Sequence, residues 1–203
     1  MEKIDLKRQL KPLYSPPAGA IVALDVPPLT YLMVDGAGNP NTAAAYRQAV
    51  EALFSVAYGL KFMIKKSELA VDYGVMPLEG LWWVEDMAQF SVERKDDWQW
   101  TAMILQPEYV TPALFEAARE QAARKKDLPA LPLMRLASFH EGRAAQVLHV
   151  GPYAAEAPTI ARLHAYIEQQ GGRRQGKHHE IYLSDPARSA PERLQTIIRQ
   201  PFG

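Results

Sequence analysis

The sequence predicts an α+β fold of two pseudo-symmetric strand–helix–strand–strand units, with antiparallel sheets around a central cleft and helices on the outer face. One observation is that apolar strand-like segments and helical segments follow in the same order in both halves of the chain. Another is an apolar strand that ends in glycine in each half, LMVDG (32–36) and VLHVG (147–151). Half-buried sheets need helices on one side. Residue identity between the halves is weak, so we expect structural duplication and not a sequence repeat.

Composition indicates one globular domain. The 203 residues are 48% apolar and 23% charged, and 23 basic residues balance 23 acidic ones, which excludes a disordered chain. Nucleic-acid binders usually carry a basic surplus, so we expect no nucleic-acid partner. No apolar run reaches the length of a membrane span, and the N-terminus lacks a signal-peptide core. The absence of cysteine excludes disulfides and thiol nucleophiles. We expect a soluble cytoplasmic protein.

The domain is expected to span 1–203 in four parts. These are an N-terminal arm (1–20), a first half (about 21–107), a linking helix and loop (108–135) and a second half (about 136–203).

The first half opens with two strands, at 21–26 and 30–36. A helix follows, capped by Asn41 or Thr42, because their short side chains accept hydrogen bonds from free backbone amides. Its apolar residues recur at steps of three and four and so share one face: Tyr46, Val50, Leu53, Ala57, Leu60 and Ile64. Gly59 weakens the last turns.

Two further strands and a helix complete this half and lead out of it. Residues 69–85 and 97–106 have strand character, with a polar turn at 91–97 between them. A helix begins near Thr111, with a proline in its first turn. The proline-containing segment 127–133 is typical of a linker.

The second half repeats the order. Its elements are a strand (143–151), a helix that Pro158 opens and Gly171–Gly172 ends, a strand (178–185), a capping box of Ser189 and Glu192, and a final strand (196–202).

The chain also carries a combination of motifs that resembles the GyrI-like family of small-molecule-binding domains, in its stand-alone branch. These motifs run nearly end to end: DLKRQLKPLYSPP (5–17), LMVDGAGNPN (32–41), LEGLWW (78–83), HVGPY (149–153), HEIYLSDP (179–186) and APERLQTIIRQPF (190–202).

The resemblance implies a pseudo-symmetric fold around a ligand cleft. It implies a partner that is a bulky, often cationic aromatic compound, held by aromatic walls and a buried carboxylate. Some stand-alone members hydrolyse the strained cyclopropane of DNA-alkylating antibiotics, which protects the producer or host. The functional glutamate of the family corresponds to Glu180.

Strand alternation places Glu180 and Tyr182 on one face, with Ile181 and Leu183 on the other. The Ile/Leu face is expected to meet the helices, so that Glu180 and Tyr182 point into the cleft. Glu180 either pairs with a cationic ligand or acts as a general base on water, and the alternative is an exposed strand-edge glutamate. The Tyr182 hydroxyl either donates to a developing oxyanion or orients a water, and the alternative is plain packing.

Aromatic residues on the neighbouring strands are candidate cleft walls. Trp82 and Trp83 are consecutive and must face opposite ways. We favour Trp83 on the side of the glutamate, but a shift of one residue would reverse this, so both are candidates. Trp100 shares a face with Trp98, and core or rim packing is the more ordinary role for this pair. Tyr73 is a weaker candidate.

His149 is either a proton shuttle or, more ordinarily, a satisfied core histidine. The basic stretch GGRRQGKHH (171–179) is typical of a solvated loop, with electrostatic binding of a partner as the lesser alternative. The sequence contains no HExxH motif and no Gly-rich phosphate loop, so we expect no metal and no cofactor. It contains no GxSxG elbow, which argues against a serine hydrolase.

Three functions remain open. One is a cofactor-independent hydrolase that opens strained rings; another is a non-catalytic module that sequesters or senses planar cationic drugs. A third, weaker one is a protein-interaction role such as gyrase inhibition. An exposed sheet edge makes a homodimer a further expectation.

Overall fold

The structure of the chain is a computed structural model that describes residues 2–91 and 94–203. Within these residues the strands are β1 (Glu2–Ile4), β2 (Ile21–Val26), β3 (Leu29–Ala37), β4 (Val71–Tyr73), β5 (Leu78–Trp83), β6 (Gln99–Leu105), β7 (Arg135–Phe139), β8 (Gly142–Val150), β9 (His178–Tyr182) and β10 (Gln195–Pro201). The α-helices are α1 (Leu6–Gln9), α2 (Lys11–Tyr14), α3 (Ala44–Lys66), α4 (Pro112–Lys125) and α5 (Ala157–Gln169). No helix in the described ranges is long and apolar enough to cross a membrane.

Eight of the strands form one antiparallel sheet in the order β2-β8-β10-β9-β5-β6-β3-β7, which confirms the predicted α+β class. The remaining two, β1 and β4, pair in parallel as a small separate sheet. In both halves the first strand of the large sheet that follows the helix lies at the inner side, so that β9 and β5 meet at the centre of the large sheet. The pseudo-symmetry of the two halves and the division into four parts stay predictions.

Helices α3 and α5 both cover the face of the large sheet that carries Glu180, which we call the helix face. Tyr46 of α3 packs on Trp82 with ring centroids 5.4 Å apart. Leu163 of α5 packs in a cluster with Ile198, which pairs directly with Glu180 across β10 and β9. The expectation that the helices would meet the Ile181 face is therefore wrong. The reason is that the cleft opens between the two helices, on the same side of the sheet.

The N-terminal arm covers the opposite side, which we call the arm face. The carbonyl oxygen of Pro12 accepts a hydrogen bond from the Gln146 amide at 2.7 Å, and that of Leu13 accepts one from Arg199 at 2.7 Å. The Tyr14 hydroxyl donates to Glu79. The short helix α2 thus packs where the sheet would otherwise expose polar groups.

A buried charge cluster lies under this arm. The His179 ring donates to Glu141 through Nδ1 at 2.9 Å and to Glu79 through Nε2 at 2.9 Å. Arg199 donates to Glu141 at 3.1 Å and to Gln146 at 3.0 Å. Two carboxylates therefore face two cationic side chains in a space closed to water, as burial of charge requires.

The segment predicted as one strand over 69–85 is two strands with a break. β4 ends at Tyr73 and β5 begins at Leu78. Gly74 and Pro77 lie in the break, and proline lacks the amide that a sheet ladder needs. The chain therefore leaves the small sheet and enters the large one.

Two predicted caps are wrong. The residue that precedes α3 is Ala43, which makes no side-chain hydrogen bond. The backbone carbonyl oxygen of Asn39 accepts from the amides of Thr42 and Ala43, so these residues form a separate turn before the helix. The capping box at Ser189 is replaced by a single 3₁₀ turn at Pro191–Arg193, preceded by Ala190.

Other boundaries shift little. α4 begins next to Thr111 as expected, and the Thr111 side chain caps it by accepting a hydrogen bond from the Leu114 amide. The prediction misses β7, which pairs with β3. β9 ends at Tyr182, three residues earlier than predicted. Residues 92–93 of the predicted turn at 91–97 lie outside the described residues.

The arm-face cluster predicts an unusual histidine titration. Burial alone would lower the pKa of His179, but the two glutamates outweigh it and raise the pKa to about 9. The protonated His179 ring, paired with the two glutamates, stabilises the fold. This stabilisation is complete below the unfolded-state histidine pKa of about 6.5 and is lost as the pH rises through about 9. We expect the His179 ring signal, followed by NMR, to titrate near pH 9.

Loss of that signal in His179→Gln assigns the resonance. In Glu141→Gln the midpoint is expected to fall by about 1–3 units, because one charge partner is gone. A midpoint near 6.5 in the wild-type protein would contradict the paired arrangement.

Candidate functional site

A cavity of about 760 Å³ lies on the helix face between α3 and the N-terminal end of α5. Its size suits a drug-sized ligand. The walls carry seven aromatic side chains, Tyr46, Phe54, Tyr58, Trp82, Trp98, Tyr153 and Tyr182. The charged groups in the lining are Lys7, Arg47, Glu51, Lys95, Glu156, Glu180 and Asp185. The cavity therefore combines large flat apolar surfaces with a few charges.

Glu180 lies at the floor of this cavity, on the central strand β9, and is 7% exposed. Its Oε1 accepts a hydrogen bond from Nε2 of His178 at 3.0 Å. Its Oε2 accepts one from the Tyr182 hydroxyl at 2.7 Å, and that hydroxyl accepts from the Trp82 indole at 3.1 Å. A chain of donors thus runs from the wall to the carboxylate and fixes its orientation.

These contacts keep Glu180 charged. Burial alone would raise the pKa of Glu180, but the hydrogen bonds from His178 and Tyr182 outweigh it and hold the pKa below its ordinary value. Burial and the adjacent carboxylate raise the pKa of Tyr182 well above 10, so its hydroxyl remains a donor. The floor therefore holds an anion and a phenol proton side by side.

The structure places Trp82 on the helix face and Trp83 on the arm face, so the preference for Trp83 is wrong. Trp82 lines the cavity, whereas Trp83 lies under the Lys177 ammonium at 3.2 Å. Gly80 pairs directly with Glu180, which fixes the register. A β-carbon at Gly80 would lie 2.7 Å from Trp82 Nε1, so the missing side chain makes room for the indole.

Three other predicted candidates do not line the cavity. Tyr73 lies on β4 in the small sheet, with its ring 5.9 Å from Tyr109. Trp100 is 1% exposed and packs behind the wall against Tyr46. His149 donates from Nε2 to the Pro152 carbonyl oxygen and accepts at Nδ1 from Thr159, which fits the core-histidine alternative.

Sequence reasoning missed most residues of the lining, and four of them stand close to the chemistry. Tyr46 belonged to the predicted apolar face of α3, and nothing in its spacing distinguished a cavity wall from a core contact. Tyr153 lies in HVGPY, and its ring meets the Tyr182 ring edge-on at 5.6 Å. Lys95 comes from the turn before β6 and Glu156 from the start of α5. Tertiary placement, and not a local pattern, brings these two to the cavity.

The arrangement supplies a fixed carboxylate, a phenol donor and an aromatic enclosure. Such a set can orient a water or hold a positive charge beside a flat ring. In residues 2–91 and 94–203 no group of three His, Asp or Glu side chains is placed to hold a metal ion.

Comparisons with known proteins show the family and the fold of the chain. A family model described as the GyrI-like small molecule binding domain matches residues 20–201. No curated protein matches the chain. An uncharacterized conserved protein from Listeria innocua is similar at 39% identity and a TM-score of 0.90, over 98% of this chain and 100% of that one.

Two structures from Listeria innocua that are called hydrolases are also similar. One is 38% identical with a TM-score of 0.88, over 100% of both chains. The other is 36% identical with a TM-score of 0.85, over 98% of this chain and 100% of that chain.

Proposed function

Because the chain belongs to the GyrI-like family of small-molecule-binding domains, we propose that its cavity binds a flat aromatic toxin with a strained ring and opens that ring with water. The substrate class proposed is the cyclopropane-bearing alkylating compounds, and the biological result is protection from them. The observation that carries the proposal is the oriented Glu180 carboxylate beneath an aromatic enclosure.

The state of Glu180 suits a strained electrophile. A carboxylate of lowered pKa is ionised at neutral pH and ready to accept a proton, but it is a weak base. A weak base is sufficient where the ground state already stores energy, as in a three-membered ring. The hydrolase names of two similar chains support turnover over simple binding.

The Tyr182 hydroxyl and the tryptophan wall have separate tasks in this reaction. Tyr182 donates to Glu180 and, with its raised pKa, keeps its proton through the cycle. It positions the carboxylate toward the water and does not give up its proton. Trp82 holds Tyr182 from the side and offers its ring to the flat substrate.

The test incubates the purified protein with a cyclopropane-containing DNA alkylator and follows ring opening by mass spectrometry. We expect the product that has gained one water, formed faster than in buffer and in proportion to protein concentration. A rate equal to that in buffer at every protein concentration would remove the proposal for this substrate class.

A second candidate is a module that binds planar cations without changing them. The observation that favours it is the same ionised carboxylate among aromatic rings, although Lys95 in the lining opposes a positive ligand. Titration with ethidium, followed by tryptophan fluorescence, separates the two. Saturable quenching by unchanged dye, without ring opening of the alkylator, would favour the binding module.

A further inference from the structure

A second carboxyl group, Glu156, reaches the cavity beside Glu180. Glu156 is 4% exposed and belongs to the cavity lining. It occupies the position that precedes the first turn of α5, where a side-chain oxygen can accept from the free amides of the helix and a negative charge is favoured by the helix dipole. Within residues 2–91 and 94–203 it makes no such hydrogen bond, and its Oε1 is buried without a partner.

An ionised carboxylate with an unpartnered buried oxygen is costly, whereas a neutral carboxyl group is tolerated. Burial is the largest cause and the charge of Glu180 the second, and together they raise the pKa of Glu156 to about 9. The Thr196 hydroxyl, and after it Lys95, lower the pKa of Glu156 but do not reverse the shift. The other titratable groups that interact with Glu156 are the phenols Tyr153 and Tyr182, which stay protonated in this range because burial raises the pKa of each.

The two carboxyl groups therefore have opposite environments. Glu180 receives two hydrogen bonds and is ionised, while Glu156 receives none at Oε1 and keeps its proton. Two carboxyls whose environments separate them in this way are the usual basis for a base and an acid in one site.

We propose that Glu156 is a second catalytic carboxyl of this cavity, the general acid that works together with the general base Glu180. The assignment rests on the proposed ring-opening function and names the group that completes it.

The proton and electron balance of the step closes with these two residues. Glu180 takes a proton from water as the water oxygen bonds to a ring carbon. The strained carbon–carbon bond breaks, and its electron pair passes to the substrate atom that accepts it. Glu156 gives its proton to that atom. Water has then been added across the bond, and a proton passing from Glu180 to Glu156 restores the resting state.

The test has one arm that does not depend on activity. Infrared difference spectroscopy at pH 7 is expected to show a protonated carboxyl band in the wild-type protein that is lost in Glu156→Gln. The band is expected to remain in Glu180→Gln and in Glu168→Gln, an exposed change of the same kind on the same helix. A wild-type protein without the band, or a band that survives in Glu156→Gln, would overturn the assignment.

The second arm measures ring opening of the same alkylator against pH. The wild-type rate is expected to fall above about pH 9, as the acid loses its proton. Glu156→Gln is expected to lower the rate by about 10²–10⁴-fold and to abolish this alkaline fall, as removal of a general acid does. Glu156→Asp is expected to recover part of the rate, and its rate is again expected to fall at alkaline pH.

The outcomes separate the two proposals. If Glu156→Gln keeps the wild-type rate and alkaline fall while Glu180→Gln loses the rate, the acid assignment is wrong and the hydrolase stands. If the rate of ring opening with the wild-type protein does not exceed the rate in buffer, the hydrolase proposal and the assignment of its general acid are both wrong. Thermal unfolding checks that Glu156→Gln is folded, and we expect no loss of stability because the amide is neutral.

Discussion

Glu180→Gln is expected to slow ring opening by about 10²–10⁴-fold, the usual loss when a positioned general base is removed. Glutamine keeps the shape of the side chain and can still accept the hydrogen bond from Tyr182, but it cannot take a proton from water. The cavity walls are unchanged, so the loss is expected in kcat with little change in KM.

The matched control is Glu168→Gln, which removes one negative charge from an exposed position of α5. Its rate is expected to equal that of the wild-type protein. Equal rates for Glu180→Gln and the wild type, with product formed above buffer, would mean that the carboxylate only binds. A rise in KM without a change in kcat would likewise assign Glu180 to binding.

Arg199→Met is expected to lower the free energy of unfolding by about 3–5 kcal/mol, the usual cost of removing one partner from a buried ion pair. Arg199 is 1% exposed, and it pairs with Glu141 and the Leu13 carbonyl. Without it His179 is the one cationic partner of Glu141 that remains in the described part of the chain, and the arm loses an anchor. Such a loss is a large part of the about 5–15 kcal/mol that stabilises a typical domain.

Urea unfolding measures this difference. Arg188→Met is the control, because the Arg188 side chain is 87% exposed and its loss is expected to change stability by less than about 0.5 kcal/mol. If the methionine variant does not fold, Arg199→Lys replaces it in the test, because lysine keeps the charge. We expect its loss in the free energy of unfolding to lie between those of the control and the methionine variant. A methionine variant as stable as the control would show that the charge cluster contributes little.

Much of the fold could be predicted because it follows from local patterns. Strand alternation placed Glu180 and Tyr182 together correctly, since a strand of period two needs no tertiary information. Proline and Thr111 fixed the start of α4 for the same reason. The break between β4 and β5 was missed, although Gly74 and Pro77 signalled it, because apolar residues continue on both sides.

The site was predicted less completely. Choosing between Trp82 and Trp83 depended on pairing register, which Gly80 opposite Glu180 sets and which the sequence of one strand does not contain. From the sequence alone, Glu156 is an ordinary acidic residue near the start of a predicted helix. Its role depends on a neighbour 24 positions along the chain (180 − 156) that only the folded sheet brings close.

The central position of β10 has a consequence for the order of events during synthesis. In the described sheet β10 joins β8 to β9, and without it the strands separate into a β2-β8 ribbon and a β9-β5-β6-β3-β7 sheet. A ribosome makes β10 after all the strands it unites. A nascent chain that stops at the loop before β10 therefore leaves the edges of β8 and β9 unpaired and its core incompletely packed. At this stage of synthesis a chaperone would have the most exposed surface to protect.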